Sequence, residues 1–349
     1  MKVFWDLTED DLIKQHYLDQ NGIETLIKLL PNRNYNGIKA RANLLNLKRK
    51  IVYTKDENFF SIPNVINCAI SGLIATDGCI GDPRKKSGYR LSIGLNIKDI
   101  SILESIKSYT NYNGKFLFQT VNTTIKNYRK PTSPEYHYTS KMVTLAFYNA
   151  KRWCDDLDKN WNITPRKTLN LKAPNITETE HVLAYFSGAV CGDGTIYLQN
   201  INNRLTIDLL GTFEFLSFFK NKFDILIPYP IDSQVRQERR GSNIFTYRIS
   251  GSKAFILAKM VLCLNIPRLD RKWDIARNYI NLIENSSGLH SKFIFNLKSG
   301  LSENVIAFLK QYNQPIIIPP VAPTSIKVLK ALEFARSKNP YCNKSLLVI

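Results

Sequence analysis

Ile70-Ser71-Gly72-Leu73-Ile74-Ala75-Thr76-Asp77-Gly78 and Phe186-Ser187-Gly188-Ala189-Val190-Cys191-Gly192-Asp193-Gly194 are two copies of one pattern. Aligned on the aspartates, each reads Ser-Gly, three small or apolar positions, one small residue, then Asp-Gly. Apolar stretches precede both, Val65-Ile66-Asn67-Cys68 and His181-Val182-Leu183-Ala184, so each copy reads as the end of a helix. Thr177 and Glu180 have the spacing of a capping box for the second. A lone Asp-Gly after an apolar helix is usually a chain-reversing turn. Two copies with the same small-residue spacing argue instead for a duplicated unit.

The surroundings repeat as well. After each motif comes strand-like alternation, Arg90-Leu91-Ser92-Ile93 and Arg204-Leu205-Thr206-Ile207. A helical stretch follows, Ile100 to Tyr109 and Phe213 to Phe223, then two strand candidates, 115–121 with 136–146 and 231–237 with 244–250. Each copy closes on a helix, 149–159 and 252–264, and then a lysine, in Pro165-Arg166-Lys167-Thr168 and Leu269-Asp270-Arg271-Lys272. This order gives repeats over 63–172 and 173–283. Residues 1–50 read as three short helices, with Thr8 to Asp11 as a capping box and a break at Asn21-Gly22. Residues 51–62 read as a polar linker, and 284–349 as an accessory segment with a helix from Ser325 to Arg336.

Charge narrows the function classes. Lys and Arg total 48 against 29 Asp and Glu, a net +19, which points to a polyanionic partner such as nucleic acid. The six cysteines form no C-x-x-C pair and the four histidines no paired cluster, so zinc modules and a disulfide framework are not expected. The N-terminus lacks an apolar signal core, and no run of 18 apolar residues occurs. A soluble intracellular monomer is expected, in the cytoplasm of a bacterial or phage host or in an organelle matrix.

The duplicated stretches resemble the LAGLIDADG motif of homing endonucleases, in the third-place Gly72 and Gly188 and in the closing Asp77-Gly78 and Asp193-Gly194. The resemblance covers about residues 63–283; at the sixth place this chain has Ala75 and Cys191 where the family's name has Asp. It implies an α+β fold of two αββαββα repeats with pseudo-twofold symmetry, curved DNA-binding sheets and a helix-turn-helix or Myb-like N-terminal module. It also implies a metal-dependent double-strand break in a long DNA site, leaving short 3′ overhangs. Gly72, Gly188, Ser71 and Ser187 would let the two helices approach closely. Asp77 and Asp193 would then emerge together where both helix dipoles are negative, a place that calls for a cation. Oxygen ligands favour Mg²⁺, with Mn²⁺ able to substitute. Gly78 and Gly194 are counted with the acids at the metal, and Lys167 and Lys272 as the catalytic base-side residues.

DNA contacts are expected from the polar strand faces: Arg90, Ser92 and Asn96 in one copy, Arg204, Thr206 and Asp208 in the other, with Arg248 beside them. Loop tips add Arg84-Lys85-Lys86, Arg236 and Arg239-Arg240, and the third N-terminal helix offers Lys39 and Arg41. Two rivals share the fold: an RNA maturase acting on its own intron, and a DNA-binding regulator that does not cut.

Overall fold

Two glycines set how the repeats meet. Helices α4 (Val65–Asp77) and α7 (Thr179–Asp193) are apolar along most of their length, and most of their residues are buried. A methyl group on Gly72 would lie 2.0 Å from the carbonyl oxygen of Tyr185 and 2.8 Å from the Ala189 amide nitrogen. One on Gly188 would lie 1.9 Å from the Ala69 oxygen and 2.8 Å from the Leu73 nitrogen. The clash partners are backbone atoms and the two sets are reciprocal, as a pseudo-twofold axis between the helices requires. Ser71 and Ser187, the small neighbours expected at this seam, are fully buried.

The structure is a computed structural model that describes residues 4–19, 21–48, 53–81, 89–125, 136–199, 204–227, 233–238, 243–285 and 302–312. It divides into two compact units, 1–53 and 54–349. In the larger unit α4 leads into β1 (Gly78–Ile80), β2 (Leu91–Asn96), α5 (Ile100–Tyr109), β3 (Phe116–Ile125), β4 (Tyr136–Phe147) and α6 (Lys151–Trp161). The second copy repeats the order: α7, β5 (Gly194–Leu198), β6 (Leu205–Gly211), α8 (Phe213–Leu226), β7 (Ser233–Gln237), β8 (Phe245–Ser250) and α9 (Gly251–Cys263). Two antiparallel sheets result, ordered β1-β2-β4-β3 and β5-β6-β8-β7. The fold is therefore α+β with two αββαββα repeats. Helix α10 (Asp270–Asn285) follows the second repeat, and α11 (Glu303–Gln311) packs on α9.

Alternation in the strands separates core from surface. In β2, Leu91, Ile93 and Leu95 are buried while Ser92, Gly94 and Asn96 are half-exposed. Aromatic side chains fill the space beneath: Trp153, Trp161, Phe147 and Phe60 in one repeat, Tyr185, Phe186, Phe215, Phe219 and Phe223 in the other. The repeats differ at the hairpins, since β3 and β4 run for 10 and 12 residues but β7 and β8 for only 5 and 6.

Several expectations need correction. The stretch read as a linker is folded from residue 54 on: Phe60 is 1% exposed, Trp153 Nε1 donates to the Asp56 oxygen at 2.8 Å, and buried Asn67 donates to the Phe59 and Ile62 oxygens at 2.8 Å each. Polar composition hid an anchor that one phenylalanine and a buried amide secure. The N-terminal capping box is made by Asp6 and Glu9, two residues earlier than Thr8 to Asp11. Helix α7 is preceded by Glu178 with no side-chain cap, so Thr177 and Glu180 form no box. The helix expected at Ser325 to Arg336 lies outside the described residues.

The smaller unit holds α1 (Leu7–His16), α2 (Gly22–Leu29) and α3 (Tyr35–Leu44) around Ile13, Leu26, Ile38 and Ala42. Two arginines tie it together, Arg33 to Glu9 and Arg41 to the nearly buried Asp10 through paired 2.7 and 2.6 Å hydrogen bonds.

Gly188→Ala tests the helix seam. Because the added carbon meets backbone, the helices must separate, and the variant should lose about 1–3 kcal/mol or more of stability. Thermal unfolding at neutral pH reads this as a lower midpoint; an unchanged midpoint would mean that the helices do not approach as closely as described.

Candidate active site

Asp77 and Asp193 are the last residues of α4 and α7, and each helix passes directly into a strand at the next residue. Gly78 and Gly194 make that passage with extended backbones, φ −78° ψ 154° and φ −99° ψ 166°. They do not use the left-handed conformation that glycine usually supplies at a helix end. What they supply is the missing side chain: a methyl would come within 2.6 Å of Ile74 O in one copy and 2.5 Å of Val190 Cα in the other. The Asp-Gly pair thus marks a strand folded tightly back onto its own helix.

The acids converge across the axis. A methyl at Gly192, the residue before Asp193, would lie 3.2 Å from the carboxyl carbon of Asp77 and 2.0 Å from Thr76 Oγ1. Thr76 and Gly192 occupy the same motif position, so a hydroxyl on one helix is accommodated by bare backbone on the other. Thr76 turns its own hydroxyl to the Gly72 and Leu73 carbonyls, at 3.2 and 3.1 Å. Among the described residues neither Asp77 nor Asp193 takes a hydrogen bond or an ion pair through its carboxylate. Asp77 is half-buried and Asp193 exposed. Burial first, and the nearby Asp193 charge second, push the Asp77 carboxyl up to about 6.

Each repeat sends one lysine to the end of its motif helix, Lys167 buried and Lys272 half-buried. Lys167 Nζ donates to the carbonyls of Gly78 at 2.7 Å and Thr76 at 3.2 Å. Lys272 Nζ reaches Gly194 at 2.8 Å and Gly192 at 2.7 Å, and also Cys191 at 2.6 Å and Val190 at 3.0 Å. In both copies the ammonium bridges the residues on either side of the aspartate. It satisfies carbonyls that a helix end leaves open and places positive charge against the dipole. Burial pulls both lysines below their ordinary range. The carbonyl oxygens of Gly78 and Gly194, counted with the acids at the metal, each accept from one of these ammonium groups.

The sheet faces are less uniform than strand alternation suggested. Ser92 and Asn96 are half-exposed, Asn96 Oδ1 accepting from Lys98 N at 3.1 Å, while the Arg90 guanidinium lies over Tyr148. Thr206 is fully buried, so it cannot face DNA. Its strand neighbour Asp208 takes a bidentate contact from Arg248 at 2.8 and 2.6 Å and a third bond from Tyr197 at 3.2 Å. Arg204 and Arg236 are exposed. Lys39 is exposed on α3, but Arg41 is spent on Asp10 and holds its own unit together. Arg84, Lys85, Lys86, Arg239 and Arg240 lie outside the described residues. Sequence reasoning missed Asp99, which is buried and grips Arg271; its only signal was an acid at the start of a helix.

The LAGLIDADG homing endonuclease I-LtrWI, in a crystal structure bound to target DNA, aligns at 12% identity over 73% of this chain and 97% of its own, with a TM-score of 0.38. I-GzeII, a LAGLIDADG homing endonuclease in complex with its DNA target, aligns at 14% identity over 72% and 97%, with a TM-score of 0.40. I-WcaI, a homing endonuclease bound to its DNA recognition sequence, aligns at 14% over 60% and 85%, with a TM-score of 0.39. No family model matches the sequence, and no curated protein matches it at a significant level. Among the described residues no helix is long and apolar enough to cross a membrane.

A carboxylate whose folded-state value lies above its unfolded one favours the fold only while protonated. That contribution is present below about pH 4 and lost as pH rises through about 6. Asp77→Asn should therefore stabilise the metal-free protein at pH 7.5, on the order of 2 kcal/mol, and change little at pH 4. Denaturant unfolding at the two pH values checks this; equal stability of both proteins at pH 7.5 would show that Asp77 carries no such penalty.

Proposed function

We propose that this chain is a single-chain LAGLIDADG homing endonuclease that makes a metal-dependent double-strand break in a long DNA site. The observation that carries the reading is the unpaired couple Asp77 and Asp193 at adjoining helix ends, each straddled by a lysine of its own repeat. Two carboxylates left without hydrogen-bond donors offer hard oxygen ligands, which fit Mg²⁺ or Mn²⁺. A divalent ion bound there would polarise the scissile phosphate and lower the pKa of the attacking water.

The chain's own residues supply position and charge. Asp77 and Asp193 hold the ion side of the site, one acid for each DNA strand. Lys167 and Lys272 fix the helix ends that carry those acids and keep positive charge beside them as the phosphate gains negative charge. Arg204, Arg236 and Ser92 stand at the sheet surfaces for contacts with phosphates and base edges, and Lys39 does so on the helical unit. The overall charge of +19 draws such a chain to duplex DNA from any direction.

Supercoiled plasmid carrying the joined sequences that flank the gene tests the proposal. With Mg²⁺ the protein should yield linear DNA, and with EDTA none. Asp77→Asn with Asp193→Asn should lower linear product by about 100-fold or more while leaving a gel-shifted complex intact. Retarded but uncut DNA from the unaltered protein would instead identify a regulator, and binding only to the flanking intron RNA a maturase.

A further inference from the structure

The lysine-bearing turn of each repeat is gripped by the other repeat. Arg271 and Lys272 sit in the first turn of α10, where a helix disfavours positive charge. Arg271 sends its guanidinium across to Asp99, with Nε to Oδ1 at 2.7 Å and Nη2 to Oδ2 at 2.9 Å. Asp99 is only 6% exposed and occupies the N-cap of α5, yet its side chain makes no cap hydrogen bond. The caps of α1, α3, α4 and α8 all do. Its carboxylate is given over to Arg271 instead.

The other repeat has a counterpart. Thr212 caps α8, the helix equivalent to α5, and its hydroxyl donates to the carbonyl of Leu171, just beyond the Lys167–Leu169 turn. The same structural position therefore grips the opposite lysine turn in both directions. One grip is a bidentate ion pair on a buried carboxylate; the other is a single neutral hydrogen bond. Bidentate charged contacts fix geometry more strongly than neutral ones.

Resting on the nuclease reading above, we propose that Asp99 is a positioning residue. Through Arg271 it holds Lys272 against the end of α7, so that repeat 1 sets the competence of the Asp193 half of the site. Asp99 does not touch DNA or the acids in this role. Its loss removes that ion pair beside Lys272 and lets the ammonium drift from the four carbonyls that seat it, which selectively slows the cut made at that half.

The test uses full-length protein and supercoiled plasmid bearing the target, with the nicks mapped on each strand. The unaltered protein should cut both strands. Asp99→Asn, which keeps volume but removes the charge, should slow one strand by about 10-fold and leave the other within about 2-fold, so nicked circles accumulate with the same strand always intact. Thr212→Val should bias the intact strand the opposite way. Exchanging the charges, Asp99→Arg with Arg271→Asp, should restore linear product. Since the two cuts are compared within one molecule, partial unfolding lowers both equally. Equal slowing of both strands, or no change, would overturn the latch while leaving the nuclease reading in place. If the unaltered protein neither nicks nor linearises the plasmid, the nuclease reading and the latch fall together.

Discussion

Everything in the larger unit follows from how closely two helices can approach. Gly72 and Gly188 each face the partner's backbone at a distance where even a methyl group has no room. That contact fixes the axis, and the axis fixes which residues meet at the helix ends. Thr76 finds Gly192 opposite it, and the Asp77 carboxyl carbon lies 3.2 Å from where a methyl on Gly192 would stand. A pair of like charges is thereby imposed by packing. The cost appears in the raised Asp77 carboxyl, which burial and Asp193 both push upward.

Positive charge returns to the site by a route that packing also explains. The helices end without capping side chains of their own, and the next residue already belongs to a strand. The carbonyls of the last turn are instead met by Lys167 and Lys272. A helix cap and an electrostatic partner for the acids are thus one side chain. On the proposed function, this ties the structural soundness of the helix end to the chemistry beside it. It also implies that replacing either lysine disturbs both at once, so a charge-only interpretation of such variants would mislead.

The fold could be read in the sequence because its signals are periodic and doubled. Strand alternation in Leu91-Ser92-Ile93 matches the buried and half-exposed faces of β2, and the helix over Ile100 to Tyr109 has the limits expected of it. Where long-range contacts decide, local pattern failed. Thr206 sits on a strand face that alternation makes polar and outward, yet it is fully buried. Arg41 looks like a DNA-facing cation on a basic helix, but Asp10, 31 residues away, claims it. The stretch around Phe60 reads as linker because Phe60 is the one buried residue among those described there, and the other anchors are backbone oxygens of Asp56, Phe59 and Ile62. The acids were legible as a pair because they recur; Asp99 was not, because its partner lies 172 residues on and in the other repeat.

The central claim is that Asp77 and Asp193 face one shared cation-binding space. Crystals of the protein with duplex target and Mn²⁺, measured at a wavelength where manganese scatters anomalously, test it without reliance on turnover. Anomalous density is expected between the two helix ends, within coordination distance of oxygens from both aspartates. Density seated elsewhere, or helix ends held apart with each acid turned to its own surface, would contradict it.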